Sequence, residues 1–347
     1  MKILYGVQGT GNGHISRARK MASHLHARGA EVTWLFTGRE RDQLFDMQCF
    51  GDFEHRTGLT MSQVDGRVNT WRTVRDAPLR RFISDIRALD VSPYDVVITD
   101  FEPVTAWAAK LAGKASIGIG HQYAFSRAIP RSGSNPAAAL VLRAFAPAQY
   151  SVGLHWHHFN TDILPPIIDV RLAPENMVER QVLVYLPFER QARVTALLQA
   201  FPEWRFVQYS PELSDGRAAN VELRRTCLEG FRNDLRRSSA VICNAGFELV
   251  SECLHMGIPV MVKPVSGQME QLSNAHALKQ LGWGTAIDRL DHTALQAWLE
   301  HTPQGVEIHY PDVAAALADW VLEGDWEDQS ALWEMLWSCT RSRVAAA

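Results

Sequence analysis

The sequence predicts an α/β fold built from two doubly wound parallel-sheet domains that face each other across a cleft, on three observations. Short apolar runs alternate with segments of helical periodicity in both halves of the chain, the order that gives parallel strands joined by crossover helices. The chain has 347 residues, long for one ordinary core and ample for two. Near its middle Pro165, Pro166 and Pro174 interrupt the periodicity, so a border is expected around 164–174.

In the first half, 2–7 reads as a buried strand, 9–13 as a glycine turn and 15–28 as a helix. The helix carries apolar residues at Ile15, Ala18, Met21, Ala22 and Leu25, with Gly29 placed as a C-cap. Strands are expected at 31–36, at 96–99 ending on Asp100, and at 115–119, with helices at 79–88 and 104–111. The second half repeats the theme with strands at 182–186, 205–209, 240–243 and 259–262. Its helices are expected at 190–200, 228–237, 247–256 and 270–281.

Composition narrows the classes. Hydrophobic residues at 46% and charged residues at 21% are ordinary for a soluble globular protein. A net charge of −3 gives no electrostatic case for nucleic acid, although a local basic patch meeting phosphates or anionic lipid is compatible with it. Cys49, Cys227, Cys243, Cys253 and Cys339 are odd in number, widely spaced and form no CxxC pair. That argues against a disulfide framework or a zinc site and fits a reducing cytoplasm. The amino-terminal apolar run is too short for a signal-peptide core, and no run approaches the ~20 residues of a spanning helix.

In open α/β sheets, ligands bind beyond the carboxyl ends of the strands. The first such loop runs from Gly6 through Gly9, Gly11, Asn12 and Gly13 to His14. It lacks the Lys-Ser/Thr pair of a P-loop, and His14 replaces the third glycine of GxGxxG. Its glycines and the free amides of the following helix suit close approach to an anion or acceptor, or serve only a tight turn. His14 stands at the start of that helix, where the positive end favours a neutral imidazole able to accept a proton; helix capping is the plainer reading. Asp100 ends a strand on the same sheet edge and either orients His14 or caps the helix after Pro103. The loop containing Gly120 and His121 also ends a strand and either approaches an acceptor or turns the chain.

In the second half, a strand ends in Asn244-Ala245-Gly246 and a helix begins at Phe247, a second anion site made of amides and a helix dipole. Glu248 and Glu252 share a face of that helix. Glu252 is placed for two ribose hydroxyls, or is a surface acid. The loop after Pro264 delivers Glu270, Gln271 and Asn274, whose acid and amide groups can hold sugar hydroxyls; a helix-start acid is the plainer reading of Glu270.

Taken together, Asn244-Ala245-Gly246, Glu252, Gly257, Pro259, Pro264, Glu270-Gln271 and Asn274-Ala275 resemble the donor-binding signature of GT-B glycosyltransferases. The likeness is to the UDP-glycosyltransferase superfamily and to the enzyme that adds N-acetylglucosamine to lipid I. Residues 13–18, Gly-His-Ile-Ser-Arg-Ala, and 246–252, Gly-Phe-Glu-Leu-Val-Ser-Glu, are similar to a poorly characterised prokaryotic group of predicted glycosyltransferases. The resemblance implies a GT-B fold of two Rossmann-like domains: 1–168 for the acceptor, 169–325 for the donor, and a C-terminal helix in 326–347 returning to the first domain. It implies a metal-independent, inverting hexosyltransferase that needs no cofactor and moves sugar from a UDP-sugar to a hydroxyl acceptor. Glu252 would hold the ribose, Gly246 and Phe247 would offer amides to the diphosphate, and Glu270 and Gln271 would contact the sugar. His14 would be the base, oriented by Asp100. Many relatives have His at the position of Asn244 and Ser or Thr near Leu249, so backbone contacts to phosphate gain weight. Glu248 would place a negative charge near the diphosphate unless it turns away or meets Arg17 or Lys263.

His155, His157 and His158 lack a nearby Cys or carboxylate, so no metal site is expected there. Residues 136–148 read as an amphipathic helix on the core, with peripheral membrane contact as the alternative. Trp320, Trp326, Trp333 and Trp337 read as packing residues. Two rival functions share the fold: a UDP-sugar 2-epimerase and a nucleotide-sugar-binding protein without catalysis.

Overall fold

The computed structural model describes residues 1–59, 63–64, 67–68, 78–133, 142–301 and 303–343. Of the apolar segment 136–148, residues 136–141 lie outside them.

The first sheet contains β1 (Lys2–Gln8), β2 (Glu31–Thr37), β3 (Phe53–His55), β4 (Val96–Asp100), β5 (Ser116–Gly120) and β6 (Tyr150–Gly153), in the order β3-β2-β1-β4-β5-β6. All its pairings are parallel. The order reverses between β1 and β4, and a crevice opens at such a switch point. Helix α1 (Asn12–Ala27) follows β1 and buries Ile15, Ala18, Met21, Ala22 and Leu25, the predicted stripe. It begins a turn earlier than the periodicity shows, because Asn12, Gly13 and His14 carry no apolar signal. Helix α2 spans Leu79–Ala88. Helix α3 (Pro103–Ala112) is capped by Glu102, which accepts from Val104 N and Thr105 N, and ends at Gly113 in the left-handed conformation. The one-turn helix α4 (His121–Ala124) leaves the end of β5.

The second sheet is formed by β7 (Val178–Tyr185), β8 (Arg205–Ser210), β9 (Gly216–Ala218), β10 (Val221–Arg225), β11 (Ser238–Cys243), β12 (Val260–Val262) and β13 (Thr285–Ala286). Its order is β9-β10-β8-β7-β11-β12-β13, with only β9 antiparallel. Here the reversal lies between β7 and β11, so the loops after Tyr185 and Cys243 flank the second crevice. The helices are α5 (Gln191–Leu198), α6 (Leu228–Arg237), α7 (Phe247–Met256), α8 (Met269–Leu281) and α9 (His292–Glu300).

Helix α10 (Val313–Glu323) lies against α1, fixed by an ion pair from Arg28 to Asp319 and by a contact of His24 Nε2 with Oδ2 of Asp312, its N-cap residue, at 3.1 Å. The return toward the first sheet therefore starts before residue 326. Helix α11 (Ser330–Cys339) donates from Trp333 Nε1 to Thr161 O at 2.9 Å and from Trp337 Nε1 to Ile163 O at 2.7 Å. The last strand, β15 (Arg341–Arg343), pairs antiparallel with β14 (Glu307–His309). One apolar core runs from β1 and α1 through Trp156 and Ile167 to α7 and α10, joining the two sheets. Among the described residues no helix is long and apolar enough to cross a membrane.

Candidate active site

Adjacent parallel strands bring His14 and Asp100 together. Val7 of β1 pairs with Asp100 of β4, so the turn after β1 and the end of β4 meet at the first switch point. Past Asp100 the chain reverses through Phe101, whose φ of 53° is strained for a bulky side chain. Glu102 N donates to Thr99 Oγ1, which itself donates to Glu102 O, both at 2.9 Å, and Phe101 stacks on Phe145. The turn is thus fixed from both sides. Because Glu102 caps α3, Asp100 is free to face α1.

Asp100 is fully buried and accepts three charge-assisted bonds. His14 Nδ1 lies 2.7 Å from Oδ1, Arg17 Nη2 donates to Oδ1 at 2.6 Å, and Arg17 Nε donates to Oδ2 at 2.8 Å. Burial alone would raise this carboxyl, but Arg17 and His14 outweigh it and hold it below its ordinary range. Burial likewise opposes the charge on Arg17, and Asp100 more than restores it. An ionised carboxylate only accepts, so His14 Nδ1 carries a proton, and in the neutral ring it is Nε2 that presents a lone pair to the cleft. Nε2 lies 3.5 Å from Gln122 Nε2, which donates to Glu270 Oε2 at 3.0 Å. Gln122 Oε1 is buried without a partner. Gln122 escaped the sequence reading because a one-turn helix has no periodic signal; its place just after Gly120-His121 at a strand end was the available clue.

At the second switch point the Asn244–Gly246 loop leads into α7, whose amino end has no side-chain cap. The surroundings of Gly246 are open, and a Cβ there would meet nothing. Asn244 Nδ2 donates to Lys263 O at 2.9 Å, while its Oδ1 is buried and unpartnered. Gln271 and Asn274 are buried. Gln271 Oε1 accepts from Val265 N, and Asn274 Nδ2 donates to Ala245 O, so these two amides hold the loops. Glu270 reaches across the cleft to Gln122. Burial holds the carboxyl of Glu252, largely enclosed, up at about 7, against the pull of Arg232 and Lys20.

The two crevices face each other and are joined. Arg17 pairs with Glu248 of α7, and a Cβ at Gly13 would collide with that carboxylate. Lys263 is taken by Glu189, so Arg17 is the cation that meets Glu248. Asn12 Nδ2 donates to Tyr185 OH at 3.0 Å, and Arg39 Nη1 donates to Asn12 Oδ1 at 3.1 Å. His121 Nδ1 lies 2.8 Å from Leu154 O and its Nε2 2.7 Å from Asn274 Oδ1, and its ring stacks on Phe247 at 4.1 Å. Gly120 passes close to Arg17 and Asp100, where an added Cβ would come within 3.4 Å of both. Gly11 begins α1 without a side-chain cap. His155 is buried beside His121, and His157 and His158 stack among Trp283, Trp333 and Trp337. No group of His, Cys, Asp and Glu among the described residues is arranged to hold a metal.

Two parallel sheets meeting at their switch points, with a half-buried His on a buried Asp on one side and an open amide turn on the other, are the arrangement of a GT-B glycosyltransferase. The chain belongs to glycosyl transferase family 1, whose family model matches residues 1–303. Solved structures agree in fold. A Streptomyces sp. SF2575 glycosyltransferase, SsfS6, complexed with thymidine diphosphate, is 15% identical over 93% of this chain and 100% of its own, with a TM-score of 0.57. Arabidopsis thaliana UGT89C1 complexed with UDP is 13% identical over 96% and 99%, with a TM-score of 0.58. Acinetobacter baumannii MurG is 15% identical over 97% and 99%, with a TM-score of 0.54. A search of curated proteins finds no match. The protein is a glycosyltransferase of GT-B fold.

Proposed function

We propose that the protein transfers a hexosyl group from a UDP-sugar to a hydroxyl acceptor with inversion and without a metal. The observation that carries this reading is the His14–Asp100 pair, whose free Nε2 opens toward Gln122 and Glu270 opposite the amino end of α7. Residues 1–168 would bind the acceptor and 169–325 the donor. Glu252 accepts from the ribose hydroxyls, the amides of Gly246 and Phe247 receive the diphosphate, and Glu270 contacts the sugar. Asn244, Gln271 and Asn274 fix the loops that make this possible. Gly11, Asn12 and Gly13 form the wall that the acceptor meets, and Gly120 with the buried His121, stacked on Phe247, supports that wall from behind. In the reaction His14 Nε2 takes the acceptor's hydroxyl proton as its oxygen bonds to the anomeric carbon. The carbon–oxygen bond to the diphosphate breaks on the opposite face, and helix-end amides stabilise the leaving anion. Two neighbours of the same fold are complexed with nucleoside diphosphates, which supports a nucleotide donor. Five cysteines, none disulfide-bonded, fit the cytoplasm as its compartment.

Calorimetry with UDP-, dTDP- and GDP-linked sugars tests the donor site. We expect the wild type to bind a UDP-sugar and Glu252→Ala to lose at least about tenfold in affinity, the scale of a lost hydrogen bond to a charged group. A wild type that binds none of these ligands defeats the reading. The acidity of Glu252 adds a pH dependence. Its ionised form is the one that accepts from two ribose hydroxyls, and that form grows as pH rises through about 7. Affinity for UDP-glucose, whose diphosphate diester holds no proton in this range, should therefore rise about tenfold from about pH 6 to about pH 8. Titration calorimetry on Glu252→Gln should show a flat profile; equal pH dependence in both proteins would assign it to another group.

A further inference from the structure

Arg17 is nearly inaccessible, yet it carries a full charge in contact with two carboxylates, one at the end of β4 and one on helix α7. Its Nε and Nη2 hold Asp100, and its Nη1 meets Glu248 of α7, which keeps only 20% of its side-chain surface exposed. We propose that Glu248 is a positioning residue that acts through Arg17 on the His14–Asp100 pair, so that the donor helix itself completes the charge arrangement around the base.

The argument is one of charge in a poorly solvated place. His14 contacts Arg17 from its own helix and Asp100 from β4, and Arg17 in turn meets Glu248 from α7. Glu270 of α8 approaches His14 through Gln122, and the phenol of Tyr5 and the ring of His121 are the further ionisable groups that sense Arg17. With neutral His14, the chain Asp100–Arg17–Glu248 sums to one negative charge, and a proton arriving on His14 brings it to zero. Without the Glu248 carboxylate the same chain begins at zero and ends with a net positive charge in the interior. Creating net charge there is costly, whereas cancelling it is favourable. Glu248 therefore favours proton uptake at His14 without touching it. It also prevents Arg17 from neutralising Asp100 unopposed. Local sequence explains why the contact forms: Gly13 has no side chain to obstruct the carboxylate, and the amino end of α1 has no cap of its own, so a negative group is welcome there. The plain alternative is that the Arg17–Glu248 pair only holds the two sheets together.

The consequence for transfer rests on His14 being the base, but the test does not. The full chain labelled with 13C-histidine would be titrated by NMR, with His14→Ala used to assign the His14 resonance. In Glu248→Gln, which keeps the shape of the side chain, the His14 midpoint should fall by roughly 0.5–1 pH unit relative to wild type. Glu248→Ala should move it by the same amount, because the charge and not the packing is responsible. A midpoint unchanged in both variants, or a rise, overturns the inference; a displacement only in Glu248→Ala assigns the pair to docking. Turnover is read separately as UDP release from UDP-glucose. If the midpoint falls in Glu248→Gln and release does not depend on His14, the coupling stands and the assignment of the base fails.

Discussion

His14→Ala should lose sugar transfer by about 10²–10⁴-fold in kcat while binding its donor within about twofold of wild type. The size follows from what is removed. A hydroxyl acceptor is weakly nucleophilic until its proton departs, and His14 Nε2 is the lone pair left free at the first switch point once Nδ1 donates to Asp100. Donor binding should survive because the diphosphate and ribose groups are assigned to α7 and its loop, across the cleft from α1. Asp100→Asn should fall in the same direction by less, since an amide still bonds the ring but can hold the wrong tautomer and cancels no charge. UDP release with UDP-glucose and a panel of hydroxyl acceptors, paired with calorimetry, separates the two effects. Undiminished turnover in His14→Ala would remove it from the role of base, and loss of donor affinity would place it in the binding site instead.

The sequence displayed the sheets more clearly than their edges. Strands and helices built from apolar runs were placed within a few residues, because burial on both faces makes a parallel strand read as a continuous apolar run. The strand Tyr150–Gly153 escaped because Ser151 and Gly153 dilute its signal, although it completes the first sheet. Helix α10 escaped because its alanine-rich face carries little contrast. The site divides on the same physical ground. His14 and Asp100 were legible because each stands at the carboxyl end of a strand, and topology alone makes those ends neighbours. The sequence left Asp100 open either to cap the helix after Pro103 or to orient His14; the reversal at Phe101 gives the cap to Glu102 and turns Asp100 to His14. Arg17 was visible as part of a motif and as one of two cations open to Glu248. That it is buried between two carboxylates is a fact of tertiary structure, since the α1 positions around it read equally well as a solvated face. Gln271 and Asn274 show the converse: the segment was found, but which of its polar groups are used up by backbone depends on the packing of both loops.

Arg17→Ala should be the most destabilising of these changes, by about 3–5 kcal/mol, the cost of leaving a buried carboxylate without its cation. Asp100 has no solvent access and would keep only the His14 ring among its side-chain partners, while Glu248 would lose its bond across the cleft. The sign with pH separates this cause from lost packing. In the wild type Asp100 lies below its unfolded value, so its contribution is fully present above that value and is lost as pH falls through the folded one. Without Arg17, burial dominates and the folded carboxyl rises above the unfolded value, so the ionised group opposes folding at neutral pH and the penalty fades as acid protonates it. Urea unfolding of both proteins, read on the first transition, should thus give a gap that is widest near pH 7 and shrinks toward about pH 4. A gap that stays constant would mean that the guanidinium contributes by filling space. Arg17→Lys restores the charge but not the fork that grips both Asp100 oxygens, and should recover part of the stability at pH 7 and less of the transfer rate.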